Sequence, residues 1–192
     1  VSLGPVFDAA LEAQAACEKA GLPCCVIGGV ALQRWGDPRF TADADLSVLV
    51  EPGRETTVID QLLTVLPARV NDAKEFAQRT RVLLLQSEQG VGIDVVLAGL
   101  PFEARVIERA SAWQLDESTT LTTCSAEDLL VMKAFAARDK DWADVTSILE
   151  RQGRKLDLER VRKELRPLVE AKEEPGILKQ LEYRIERCVG EN

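Results

Sequence analysis

The sequence predicts an α/β front half followed by an all-helical back half, with the change near residue 120. Three observations carry this. Short apolar runs alternate with segments of helical spacing through the front half. From residue 126 to residue 188 the pattern is helical, with breaks expected near Gly153, Pro167 and Pro175. The chain has 192 residues and 46% hydrophobic side chains, enough for a real core without disulfides or a structural metal.

In order, residues 5–19 place Val6, Ala9, Ala10, Ala13, Ala16 and Cys17 at helical spacing, and Gly21 and Pro23 stop that helix. Residues 24–27 read as a buried strand ending at Gly28-Gly29. Residues 30–35 read as a helix, and residues 46–50 as the next strand. Pro52-Gly53 turns the chain into a helix over 54–65, and a shorter one follows over 73–78. Residues 81–86 and 92–98 form adjacent strands joined by a turn at 88–90. Pro101 opens a helix to residue 110, and residues 121–124 are extended. Ser125 and Asp128 have capping-box spacing, with Asp as the weaker partner. In the charged stretch 151–174, Leu156, Leu158, Val161, Leu165 and Leu168 supply the buried side of solvated helices.

Composition removes several classes of function. There is no His, which excludes His-based acid–base catalysis, Ser-His-Asp triads and most zinc sites. Chemistry must come from carboxylates, Lys, Arg, hydroxyls, thiols and backbone amides. The net charge of −8 argues against nonspecific duplex binding, though a local basic patch is compatible with it. Cys17, Cys24, Cys25, Cys124 and Cys188 form no CxxC pair and read as free thiols. No run has membrane length and no signal segment is present, so a cytoplasmic protein with no membrane partner is expected.

The informative stretch is Gly28-Gly29 followed by Arg39-Phe40-Thr41-Ala42-Asp43-Ala44-Asp45-Leu46. Asp43 and Asp45 stand at the start of a strand, where i and i+2 share a face. Two adjacent anions repel, so they need a cation between them or generous solvent. Mg²⁺ suits such a pair, because it takes one or two carboxylates together with phosphate oxygens. The other reading is an acidic strand end in water. Gly28-Gly29 lies between a strand and a helix, either as a tight turn or as a place where phosphate reaches helix-start amides. Asp94 lies inside the apolar run Gly92-Ile93-Asp94-Val95-Val96-Leu97. That strand reads as covered on both faces, which asks for a partner to the charge.

A Gly-Gly turn, thirteen residues, Asp-x-Asp on a strand and a lone Asp on a later strand resemble the DNA polymerase beta nucleotidyltransferase superfamily. The Arg-Phe-Thr-Ala-Asp-Ala-Asp wording is closer to its bacterial branch of AbiEii-like toxin nucleotidyltransferases. Lys133 and the run Arg138-Asp139-Lys140-Asp141-Trp142-Ala143-Asp144 resemble that branch's second block. The resemblance covers most of the first 150 residues. One departure is Ala44, where such proteins carry a larger apolar residue; this removes no ligand.

The resemblance implies a nucleotidyltransferase fold, with a mixed sheet flanked by helices over residues 1–120 and a helical region over 121–192. It implies that Asp43, Asp45 and Asp94 bind Mg²⁺ or Mn²⁺ on an NTP such as ATP, with Asp94 completing a second metal site or acting as base. Gly28 and Gly29 would position phosphate, helped by Arg39 and Thr41, although Arg39 equally suits a surface ion pair. A nucleoside monophosphate would pass to a hydroxyl of RNA or protein, expelling pyrophosphate, as in a toxin–antitoxin or phage-defence pair with an antitoxin partner. The alternatives are transfer to a small molecule such as an aminoglycoside-type antibiotic, and a non-catalytic regulator or antitoxin partner that keeps the fold.

Lys133 is the lone cation in the apolar segment 129–137. It either snorkels to solvent or meets an anion, and the resemblance makes that anion a nucleotide phosphate. If one helix runs through, Lys133, Lys140 and Asp144 fall near one line. Asp141 and Asp144 read as surface acids or as groups orienting Lys133 or Arg138.

Overall fold

The structure, a computed structural model, describes residues 4–190. The chain folds into two compact units: residues up to Ala31 with Phe40–Cys124, and Leu32–Arg39 with the chain from Ser125 onward.

The first unit is built on a mixed six-stranded sheet. Helix α1 (Pro5–Lys19) starts at Pro5, whose missing N–H costs nothing there. It buries Ala9, Ala10, Ala13, Ala16 and Cys17. Strand β1 (Cys24–Ile27) runs straight into α2 (Gly28–Trp35), two residues earlier than the apolar pattern indicated. Strand β2 (Asp43–Leu49) begins three residues before the expected start, so both aspartates lie within it. After α3 (Glu55–Leu63) and α4 (Ala73–Thr80) come β3 (Val82–Gln86) and β4 (Gly92–Ala98). Helix α5 (Pro101–Glu108), β5 (Ser111–Gln114) and β6 (Thr120–Thr123) complete the unit.

Strand order is β3-β4-β2-β1-β6-β5. The pairs β2–β4 and β1–β6 are parallel and the others antiparallel. Strand β5 was not foreseen, because Ser111-Ala112-Trp113-Gln114 is an exposed edge with no apolar alternation. Ala44, Leu46 and Val48 of β2 pack with Ile93, Val95 and Leu97 of β4 and the alanine face of α1 in one core. A small Ala44 suits this close approach: it is fully buried in that core.

The second unit holds α6 (Ala126–Ala136), α7 (Asp139–Gln152), α8 (Leu158–Lys172) and α9 (Gly176–Cys188), with a 3-10 turn at Gly153–Lys155. Ser125 caps α6 as expected, its Oγ accepting from the Asp128 N–H at 3.1 Å. Two expectations are corrected. Pro167 does not break a helix: α8 runs through it, held by buried Val161, Leu165 and Val169 on either side. A break instead falls at Ala137, in the left-handed conformation at φ 56°, so Lys133 and Asp144 are on different helices. Nothing in the sequence marks Ala137, since a non-glycine residue there costs about 1–2 kcal/mol that packing must offset.

All five cysteines are free thiols. No helix among the described residues is long and apolar enough to cross a membrane.

Candidate active site

Strands β2 and β4 run parallel with Asp45 beside Asp94 and Asp43 beside Gly92. Cα partners in a parallel pair share a face, so all three carboxylates stand on the side opposite Ala44, Leu46 and Ile93. Asp94 is not sealed in: its side chain is 30% exposed, and Val96 on the same face is half-buried. The apolar run around Asp94 therefore does not cover both faces of the strand, contrary to the sequence expectation.

Glycines make room for these side chains. Gly28 has φ +63°, and a Cβ there would lie 2.0 Å from Asp45 Oδ2. The Gly29 N–H donates to the same oxygen at 3.5 Å, so the start of α2 faces the Asp45 carboxylate. A helix N-terminus favours an anion at that position. A Cβ on Gly29 would lie 2.4 Å from Thr41 Oγ1, whose hydroxyl donates to the Asp43 carbonyl at 3.2 Å. Gly28, Gly29, Thr41, Asp43 and Asp45 thus form one packed constellation.

A further residue enters that sequence reading did not single out. Arg69 donates from Nη2 to Asp94 Oδ1 at 2.6 Å and from Nη1 to Asp43 Oδ1 at 3.5 Å. Its backbone N–H bonds the Leu84 carbonyl at 3.0 Å, and Ala68 forms an isolated bridge with Leu85, so the segment lies along the β3 edge. Gly92 admits the guanidinium: a Cβ there would sit 2.1 Å from Arg69 Nη1 and 2.2 Å from Asp43 Oδ1. The only available signal was an arginine after Pro67-Ala68, which looks like any loop cation.

The donor chemistry fits a hard divalent cation, which takes oxygen ligands. Asp43 and Asp45 offer the one or two carboxylates that Mg²⁺ uses alongside phosphate oxygens. Among the described residues, no three acidic, thiol or imidazole side chains converge into a ready-made metal cage. Asp94 is engaged by Arg69 instead.

Arg39 and Lys133 lie in the second unit, joined through acids of α7. Arg39 makes a two-pronged bond to Asp144, Nε to Oδ1 at 2.7 Å and Nη2 to Oδ2 at 2.8 Å. Lys133 Nζ lies 2.8 Å from Asp144 Oδ2 and 3.3 Å from Asp141 Oδ1. Arg138 Nε also reaches Asp141, at 2.5 Å. Lys133 is therefore no solvated helix edge: its side chain is 10% exposed, and those of Asp141 and Asp144 are 0% and 3%. Burial pushes both carboxyls up, but the hydrogen bonds and charges of Arg138, Lys133 and Arg39 outweigh it and hold them below the usual carboxylate range. Asp141 and Asp144 are not surface acids; they hold Lys133, Arg138 and Arg39.

The sequence matches the AbiEii nucleotidyl transferase toxin family, described as a type IV toxin–antitoxin system, over residues 9–187. The chain belongs to this family. The match runs well past residue 150, where recognisable motifs stop, so the helical region is part of what the family shares. The AbiEii membership makes the chain a nucleotidyltransferase, an enzyme. No curated protein matches the sequence. Among solved structures, the antibiotic-resistance factor ANT(2'')-Ia in solution aligns with a TM-score of 0.55 at 18% identity, over 84% of this chain and 91% of that one. An antigenic nucleotidyltransferase-like protein from Paracoccidioides brasiliensis aligns with a TM-score of 0.50 at 17% identity, over 96% of both chains. These likenesses establish the nucleotidyltransferase fold.

Proposed function

We propose that this AbiEii-family enzyme moves a nucleoside monophosphate from an NTP, with ATP the first to test, to a hydroxyl on RNA or protein. It does so with Mg²⁺ or Mn²⁺, as the toxin of a pair whose partner protein is the antitoxin. The observation that carries this reading is the register of Asp43 and Asp45 beside Asp94, with Gly28 packed on Asp45.

In this reading Asp43 and Asp45 hold the divalent cation. When bound, such a cation neutralises the triphosphate and the charge that grows during in-line displacement at the α-phosphorus. Gly28 leaves room for the Asp45 carboxylate and Gly29 for Thr41, and phosphate oxygens would meet the amides at the start of α2 beside them. Thr41 fixes the turn into β2 through its bond to the Asp43 carbonyl. Asp94 accepts the proton from the attacking hydroxyl once its Oδ1 is released by Arg69. The hydroxyl oxygen bonds to phosphorus and pyrophosphate departs. Lys133, proposed as a phosphate contact, has its ammonium fixed by Asp141 and Asp144. Asp144 in turn fixes Arg39, four residues before Asp43 in the chain.

The test is incubation of the protein with α-labelled NTPs, Mg²⁺ and cell extract. Label on RNA or protein supports the proposal. Label only on a cationic small molecule would favour the antibiotic-modifying alternative, and label nowhere would overturn both.

A further inference from the structure

We propose that Arg69 is a resident cation of the carboxylate site, one that a divalent metal must displace and that the incoming triphosphate receives. The inference rests on the reading of Asp43 and Asp45 as metal ligands. Arg69 spans two of the three carboxylates, with Nη2 2.6 Å from Asp94 Oδ1 and Nη1 3.5 Å from Asp43 Oδ1.

The contact is built in. The Arg69 backbone is pinned to β3 through the Leu84 carbonyl, and the adjacent bridge between Ala68 and Leu85 fixes where the side chain starts. Opposite, Gly92 is the β2–β4 partner of Asp43, and any side chain there would collide with both Arg69 and Asp43. The guanidinium therefore sits in a slot that the strand pair leaves open. Its short bond to Asp94 and long bond to Asp43 make the two contacts unequal, and Asp43 is the easier to give up.

The consequence is a coupling between metal and nucleotide. Three carboxylates on one face repel, and Arg69 offsets part of that repulsion when no metal is bound. A metal that takes Asp43 meets the guanidinium at close range, and like charges disfavour each other. That cost falls if Arg69 finds a new anion as the metal arrives. A triphosphate supplies it, and a guanidinium suits phosphate oxygens. Arg69 thus keeps the nucleotide-free protein a poor metal binder.

The experiment is Mn²⁺ binding to the nucleotide-free full chain, followed by the paramagnetic signal of the free ion. It compares wild type, Arg69→Met, Arg69→Met with Asp43→Asn, and Asp45→Asn, with folding checked by thermal melt. Arg69→Met should bind Mn²⁺ roughly tenfold more tightly than wild type, within the usual range for coupled sites. Adding Asp43→Asn should abolish that gain. If the Met variant melts early, Arg69→Gln, which keeps a polar head without charge, carries the same comparison. Equal or weaker binding by Arg69→Met, or a gain that survives Asp43→Asn, overturns the inference. If Asp45→Asn still weakens Mn²⁺ binding in that case, the metal-site reading stands and only Arg69's part fails. No binding by any of the proteins overturns both.

Discussion

Lys133 on α6 and Asp144 on α7 are on separate helices, and their charged groups meet 2.8 Å apart in a nearly dry setting. The left-handed residue Ala137 turns the chain between them. One uninterrupted helix would have put these residues along a common stripe; the break makes them face each other across two packed helices.

This pairing changes what Lys133→Met should do. A lysine that merely snorkels would be replaced at no cost. Here the substitution removes a partner from two buried carboxylates, Asp141 and Asp144. Breaking a buried pair commonly costs about 3–5 kcal/mol; because Arg39 and Arg138 stay on the same acids, about 1–3 kcal/mol is expected. Urea unfolding of the two proteins at neutral pH measures the difference, and an unchanged midpoint would show that the pair contributes nothing.

Acid should act on the same network. The Asp141 and Asp144 carboxyls lie below their usual range in the folded chain. A depressed carboxyl contributes stability that is fully present above its unfolded pKa and is lost as pH falls through the folded one. Stability should therefore drop as pH falls below roughly 4. In Asp141→Asn with Asp144→Asn, the acid limb should be flatter, because protonation has less left to remove. Urea midpoints across the acid range test this, and parallel curves for both proteins would contradict it.

Gly28 offers a sharper test of the carboxylate constellation. Gly28→Ala places a Cβ 2.0 Å from Asp45 Oδ2 in a backbone at φ +63°. The left-handed conformation alone costs about 1–2 kcal/mol, and the Asp45 carboxylate must also move. The variant should melt earlier and bind Mg²⁺–NTP more weakly. Gly53→Ala, which has positive φ but open space around it, should share the strain without the loss of binding. Equal NTP binding by Gly28→Ala and wild type, measured by calorimetry, would separate Gly28 from the site.

Much of this was readable from the sequence because local chemistry agrees with the tertiary answer. The boundaries of α1, β1 and β4 follow from apolar spacing and from Gly and Pro stops. The Asp43–Asp45 pair stands out because i, i+2 alternation is a property of the strand itself. Arg69 was invisible for the opposite reason: its meaning comes from the pairing of β2 with β4 and from the open slot at Gly92, neither of which is local. Asp141 and Asp144 looked like surface acids until the break at Ala137 turned α7 onto α6. Strand β5 escaped notice because an exposed edge needs no apolar alternation.

The central claim is that Asp45 carries metal-dependent nucleotide transfer. The most direct measurement is transfer from α-labelled ATP and the other NTPs into cell extract at saturating Mg²⁺, with purified wild type and Asp45→Asn. Asn keeps the shape and removes the charge; relief of carboxylate repulsion and loss of the charged contact to the start of α2 oppose each other, so the nucleotide-free protein should stay folded, as a thermal melt checks. Turnover should fall by a factor on the order of 10²–10³. Equal turnover by the two proteins, with both folded, would contradict the account.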